Sequence, residues 1–280
     1  MASVKNTYYI AKPNYGAGIG HQMANWIAGY WYAKQFGLNF AHVPFSTKKW
    51  EEFLGFGTGD IDYTELLCNG YKTVKLPLFK ESNVKEVALQ KKIIASYKTK
   101  NVVFIAEQDQ FYKDQFGVIQ EMQNKFYNAP LRKQDKLQFD NTTYNIAIHV
   151  RRGDIVEGQN KIENHTMRWM TNDYFINTLQ NTLDYISTDK KVCIYLFSQG
   201  KKEDFIEFEQ FSNLTYCLDM GAIESFLHMV YADVLITSKS SFSYKPALLN
   251  KGLKIVPKDF WHGYPKSNDW IMVDENGNLK

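Results

Sequence analysis

Asn145-Ile146-Ala147-Ile148-His149-Val150-Arg151-Arg152-Gly153-Asp154 is the stretch whose reading decides the fold. Ile146 to Val150 is a short apolar run rich in β-branched residues, the pattern of a strand buried on both faces of a parallel sheet. It ends in two arginines, a glycine that permits a turn, and an aspartate. Ligands of open α/β sheets sit beyond the carboxyl ends of the strands. A guanidinium there presents a planar fork of donors that fits a phosphate and never loses its charge. Successive strand residues face opposite sides, so Arg151 and Arg152 are not expected to share one anion. One of them is free to pair with Asp154 and hold the turn.

Outward from this strand the second half alternates regularly. Asp173 to Ile186 reads as a helix capped by Thr171 or Asn172. Strands follow at Lys191–Phe197, Leu214–Leu218, Asp233–Thr237 and Lys254–Val256, and helices at Glu203–Phe211, Ile223–Tyr231 and Ser241–Leu249. That spacing calls for right-handed crossovers and a parallel sheet. Thr237-Ser238-Lys239-Ser240-Ser241-Phe242-Ser243 joins a strand to a helix. Serine hydroxyls and free amides at a helix start bind phosphate, and Ser240 or Ser241 also suits the N-cap.

The first half opens with a strand at Tyr8–Lys12. A glycine-spaced turn follows, with Gly16, Gly18 and Gly20, then a helix from about Gln22 to Phe36 stopped by Gly37. Asn39 to Val43 and Val102 to Ala106 read as strands, and Val118 to Tyr127 as an amphipathic helix. The turn places amides at a helix N-terminus, available to an anion or a sugar hydroxyl. Its spacing is not Gly-x-Gly-x-x-Gly, and no acid follows the second strand, which argues against a dinucleotide oxidoreductase. Residues 50–89 give no clear period. They contain Asp60-Ile61-Asp62, the Asp-x-Asp form of many metal-dependent sugar transferases, but two carboxylates are few for a hard cation. The polar stretch 130–143 divides the chain into expected domains 1–140 and 141–280.

The chain has 280 residues, 44% of them hydrophobic and 22% charged, which is a globular composition. A net charge of +3 without a basic block leaves no nucleic-acid footprint. Cys68, Cys193 and Cys217 lie too far apart for metal spacing or a disulfide framework. Met1 to Asn6 has no charged region followed by an apolar run, and no stretch has the length of a membrane span. The expectation is a soluble cytoplasmic protein whose sequons at Asn141, Asn164 and Asn213 go unused.

The His149–Asp154 stretch, together with Ala232-Asp233-Val234-Leu235-Ile236-Thr237-Ser238-Lys239-Ser240-Ser241-Phe242-Ser243, resembles the α1,2/α1,6-fucosyltransferase superfamily. The loop Gly16-Ala17-Gly18-Ile19-Gly20-His21-Gln22-Met23 resembles that superfamily's N-terminal glycine-rich motif. The three occur in family order and span most of the chain. The resemblance implies an α/β, GT-B-like fold of two Rossmann-type domains with parallel sheets. The N-terminal domain would face the acceptor and the C-terminal one would bind a nucleotide-diphosphate sugar. It implies inversion at the anomeric carbon, no cofactor and no metal, and an oligosaccharide or glycoprotein glycan as acceptor. Arg151 and Ser241 would hold the β-phosphate, and His149 would lie near the nucleoside.

Two positions depart from that pattern. The family's guanine-reading aspartate is replaced by Ser225, with Glu224 beside it, and its catalytic glutamate by Gln159. Glu157, Asp154 and Glu163, on the same loop, stand in as candidate bases. The missing guanine reader favours UDP-xylose as donor, with GDP-fucose as the alternative and an inactive glycan-binding module as a further one. Length and the Lys/Asn/Tyr-rich composition also resemble the stand-alone transferases of large algal viruses, including chlorovirus β-xylosyltransferases.

Overall fold

The structure is a computed structural model that describes residues 7–105, 115–153, 155 and 167–280. The chain divides into two compact units, Met1–Lys133 and Gln134–Lys280. Each is a parallel sheet wrapped by helices.

In the second unit β6 (Tyr144–His149) is central, and its neighbours are β7 (Val192–Ser198) and β9 (Val234–Ile236). Beyond β7 lies β8 (Leu214–Leu218); beyond β9 lie β10 (Leu253–Pro257) and β11 (Trp270–Val273). All pairings are parallel. The chain therefore winds outward from β6 to β8, then returns past β6 to β9 and winds outward the other way. That reversal leaves a crevice between the ends of β6 and β9, the topological switch point of a doubly wound sheet.

β6 is buried on both faces, which explains its near-continuous apolar run. Ile146, Ile148 and Val150 pack with Phe175 and Leu179 of α6 (Asn172–Tyr185). Ala147 faces the other way, toward Met229 of α7 (Ala222–Tyr231) and Ala247 of α8 (Ser241–Leu249). Each fully buried Ile or Val contributes roughly 1.5–3 kcal/mol. A one-residue slip would exchange the two faces, so the register is strongly specified. Asp233 also ties the strand starts together: its carboxylate accepts from the Asn145 amide (2.8 Å), and its own amide donates to the Asn145 carbonyl (2.9 Å).

The first unit is a five-stranded parallel sheet in the order β3-β2-β1-β5-β4, where β1 is Thr7–Ile10, β2 Asn39–His42, β3 Ile61–Asp62, β4 Lys72–Lys75 and β5 Val102–Ile105. Helix α1 (Ile19–Phe36) lies on β1 so closely that a Cβ on Gly29 would stand 2.4 Å from that of Ala11. Only glycine allows that approach. The stretch 50–89 holds most of α2 (Lys48–Leu54), all of α3 (Tyr63–Cys68) and the start of α4 (Val84–Ser96). α5 is Ile119–Asn128.

In the second unit two elements differ from the sequence reading. The helix expected at Glu203–Phe211 is a 3-10 segment, Lys202–Gln210, broken where Phe205 leaves helical geometry to bury its ring. Of the two caps offered by the sequence for α6, Thr171 is the one used, with its hydroxyl accepting from the Tyr174 amide. Strand β11 is not among the expected strands, although Trp270-Ile271-Met272-Val273 is an apolar run bounded by turn residues; it pairs with β10. No helix among the described residues is long and apolar enough to cross a membrane.

Candidate functional site

The alternation of β6 continues past its last residue. His149 is on the α7/α8 face, Val150 on the α6 face, and the next two side chains separate in the same way. Arg151 turns toward α8, where its Nη1 donates to Ser240 Oγ at 2.8 Å. Arg152 turns toward α6. Its guanidinium lies 4.1 Å from the Trp169 ring centre and donates to Asn172 Oδ1 (2.7 Å) and to the Arg151 carbonyl (2.9 Å). Asn172 is held in turn by the Asp204 carbonyl and by Glu207. Gly153 makes the turn with φ 75°, and a Cβ there would stand 2.0 Å from Gln199 Oε1.

Ser240 is the N-cap of α8, and its hydroxyl also accepts from the Phe242 amide at 3.2 Å. The switch point thus combines a helix start with a guanidinium. Both stabilise negative charge. Ser241, the serine implied for the β-phosphate, instead points its hydroxyl at His262 Nε2, 3.4 Å away.

His149 is buried, with Nδ1 2.7 Å from Ser238 Oγ and its ring 5.5 Å from that of Phe242. Burial, then the charges of Arg151 and Arg152, pull its pKa down to about 3. The imidazole is neutral at working pH and can offer hydrogen bonds and a flat surface without adding charge.

A cavity of about 450 Å³ opens from this point. His149, Arg151 and Ser240 line it beside Ser198 and Gln199 from the end of β7, Asp219 beyond β8, and Ser225 of α7. Ser225 Oγ is 3.4 Å from the Met220 carbonyl, whereas Glu224 is exposed and does not line the cavity. A larger cavity, about 590 Å³, shares Arg152 and Gln199 with the first. Asp173, Asp204 and Glu207 line it, and three carboxylates disfavour a polyanion.

The remaining sequence candidates belong to the first unit or lie outside the described residues. Gly16, Gly18 and Gly20 belong to the first unit: Gly16 lies in the turn after β1, where Asn14 Oδ1 accepts from its amide, Gly18 is the N-cap of α1 and Gly20 lies in its first turn. None of the three has positive φ, and a Cβ on Gly18 would meet nothing within 4 Å. At Gly16 and Gly18 the fold alone does not require glycine. Asp154, Glu157 and Glu163, with Gln159, lie outside the described residues. Asp60 and Asp62 both have structural uses: Asp60 pairs with Lys125 at 2.9 Å, and Asp62 caps α3 through the Thr64 amide. Sequence reasoning missed Asp219. It stands one residue past a strand that had been identified, so the rule that ligands gather beyond strand ends could have found it.

No protein-family model and no curated protein sequence matches the chain. Solved structures do. POFUT1, solved in complex with GDP, superposes with a TM-score of 0.51 at 12% identity over 89% of this chain and 98% of its own. The fucosyltransferase NodZ from Bradyrhizobium gives 0.50 at 10% identity over 98% and 97%. A NodZ α-1,6-fucosyltransferase crystal soaked with GDP-fucose gives 0.47 at 10% over 87% and 92%. At such identity it is the fold that is shared: the chain has the GT-B-like α/β fold of these proteins, with a parallel sheet in each of its two units.

Proposed function

We propose that this protein is an inverting, metal-independent glycosyltransferase that moves a sugar from a nucleoside-diphosphate donor to a hydroxyl of a glycan acceptor. The observation that carries this reading is the bond from Arg151 to the N-cap Ser240 at the switch point. A guanidinium and a helix start converge there beside a cavity of nucleotide size. A base takes the proton of the acceptor hydroxyl, and the oxygen attacks the anomeric carbon from the face opposite the diphosphate. The carbon–oxygen bond to the β-phosphate breaks, and the growing charge is offset by Arg151, Ser240 and the first amides of α8. Preorganised stabilisation of this kind is often the largest catalytic contribution. Asp154, Glu157 and Glu163 are the candidate bases.

The donor has two readings. The shared fold supports GDP-fucose, since POFUT1 was solved with GDP and NodZ is a fucosyltransferase. UDP-xylose rests on a single observation: Ser225, not a carboxylate, faces the cavity from α7. Guanine leaves an N–H and an amino group to satisfy, at about 1–3 kcal/mol for each buried donor left alone. Uracil brings one N–H, which a single acceptor satisfies.

Titration calorimetry with GDP, UDP, GDP-fucose and UDP-xylose, followed by transfer assays with the binder, tests both. The fucosyltransferase reading expects GDP to bind at least about tenfold more tightly than UDP, a difference of roughly 1.4 kcal/mol. The reverse order, with xylose transferred, establishes the other donor. Binding without transfer or donor hydrolysis would leave a glycan-binding module on a transferase fold.

A further inference from the structure

Asp219 is the one non-glycine residue with positive φ among the described residues, at 54°. Such a conformation is disfavoured for most residues with a side chain, aspartate being among the few that adopt it, and where one persists it can mark a functional site. It is fixed here by the sheet: the Asp219 amide donates to the Ser198 carbonyl at 3.0 Å, continuing the β7–β8 ladder one residue beyond β8. Its carboxylate makes no hydrogen bond or ion pair with the described residues, so no local turn explains why an acid stands there. It is the only carboxylate lining the 450 Å³ cavity among those residues.

Position then selects what it meets. β8 is two strands from β6, about 10 Å across the strand ends. An anion held by Arg151 and Ser240 is out of reach of a carboxylate at that distance, and a like charge there is largely screened. The nucleoside attached to that anion spans such a distance. A carboxylate accepts two hydrogen bonds side by side, and a nucleoside carries such pairs of donors on its ribose diol and on the N1–H/amino edge of guanine.

Building on the donor reading above, we propose that Asp219 is the specificity residue that holds the donor's nucleoside, taking from the end of β8 the role that Ser225 cannot play from α7. Its partner is a pair of adjacent hydroxyl or N–H donors.

The test is calorimetry with GDP, UDP, their 2′-deoxy analogues and inorganic pyrophosphate, on wild type, Asp219→Asn and Asp219→Gly. Asparagine and glycine both tolerate left-handed backbone, so neither variant disturbs the turn. Both should keep the wild-type melting temperature and pyrophosphate affinity while losing tenfold or more for the nucleoside diphosphate. If the ribose diol is the partner, the 2′-deoxy analogue binds wild type and Asp219→Asn alike. If the guanine edge is, deoxy-GDP loses as much as GDP, and UDP is unaffected. Unchanged affinity for both nucleoside diphosphates in Asp219→Asn overturns the proposal, as does an equal loss for pyrophosphate. Wild type that binds pyrophosphate and nucleotides not at all overturns the donor reading itself, and this assignment with it.

Discussion

Arg151 and Arg152 are adjacent and chemically identical, yet they are not equivalent. Arg151 reaches the N-cap of α8, whereas Arg152 is stacked on Trp169 and bonded to Asn172. Arg151→Lys keeps the charge but loses the fork, and steady-state assays should find turnover lower by on the order of 10²–10³ with the fold intact. Near-normal turnover would remove Arg151 from the reaction. Arg152→Lys should instead lower the melting temperature. His149 makes a second residue-scale prediction. The unfolded chain takes up a proton there near pH 6.5, whereas burial and the two arginines keep the folded imidazole neutral down to about pH 3. Its contribution to stability is complete above pH 6.5 and is lost as pH falls toward 3, by roughly 1.4 kcal/mol per unit. Urea unfolding of wild type and His149→Asn at pH 7, 6 and 5 should show wild type declining more steeply. Parallel decline would mean that the folded imidazole titrates normally.

Among the elements, α8 connects site and core. Its first turn faces the cavity, while its body is buried from Ser243 to Leu249. Asn250 closes the far end, its side-chain amide donating to the carbonyls of Met229, Val230 and Ala232 and so fixing α7 against α8. Within the helix, Lys245 is buried with its ammonium 5.2 Å from the Tyr244 ring centre, and burial pulls its pKa down to about 7. Unfolded lysine titrates near 10.4. The unfolded chain therefore binds the extra proton between about pH 7 and 10.4, and wild type gains stability as pH rises through that window. Lys245→Met should stabilise the protein at pH 7 by on the order of 1–4 kcal/mol, and the gain should shrink toward pH 10. Thermal melts at the two pH values measure this; a gain that does not change with pH would contradict it.

For the whole molecule, the proposed reaction releases a diphosphate whose charge has to be met, and this fold offers a guanidinium and a helix start at the switch point of its second sheet. The Asp-x-Asp triplet is committed elsewhere, Asp60 to Lys125 and Asp62 to the start of α3. Transfer activity should therefore survive excess EDTA. Loss of activity that Mg²⁺ or Mn²⁺ restores would assign the diphosphate to a cation and sink the arginine-based mechanism.

What the sequence by itself determined was whatever local pattern encodes. The apolar run from Ile146 to Val150 identified a two-sided strand, and the two-residue period already separated Arg151 from Arg152. The regular alternation of strands and helices after it required a parallel sheet. Tertiary structure decided the rest. Strand order is set by long-range pairing, so the switch point that joins Arg151 to Ser240, 89 residues apart in the chain, has no local signature. The 3-10 segment at Lys202–Gln210 departs from helical geometry at Phe205, whose ring is buried in the core. Ser240 and Ser241 look interchangeable in sequence. The cap geometry of α8 gave one to Arg151 and turned the other toward His262, because successive residues at a helix start point in different directions.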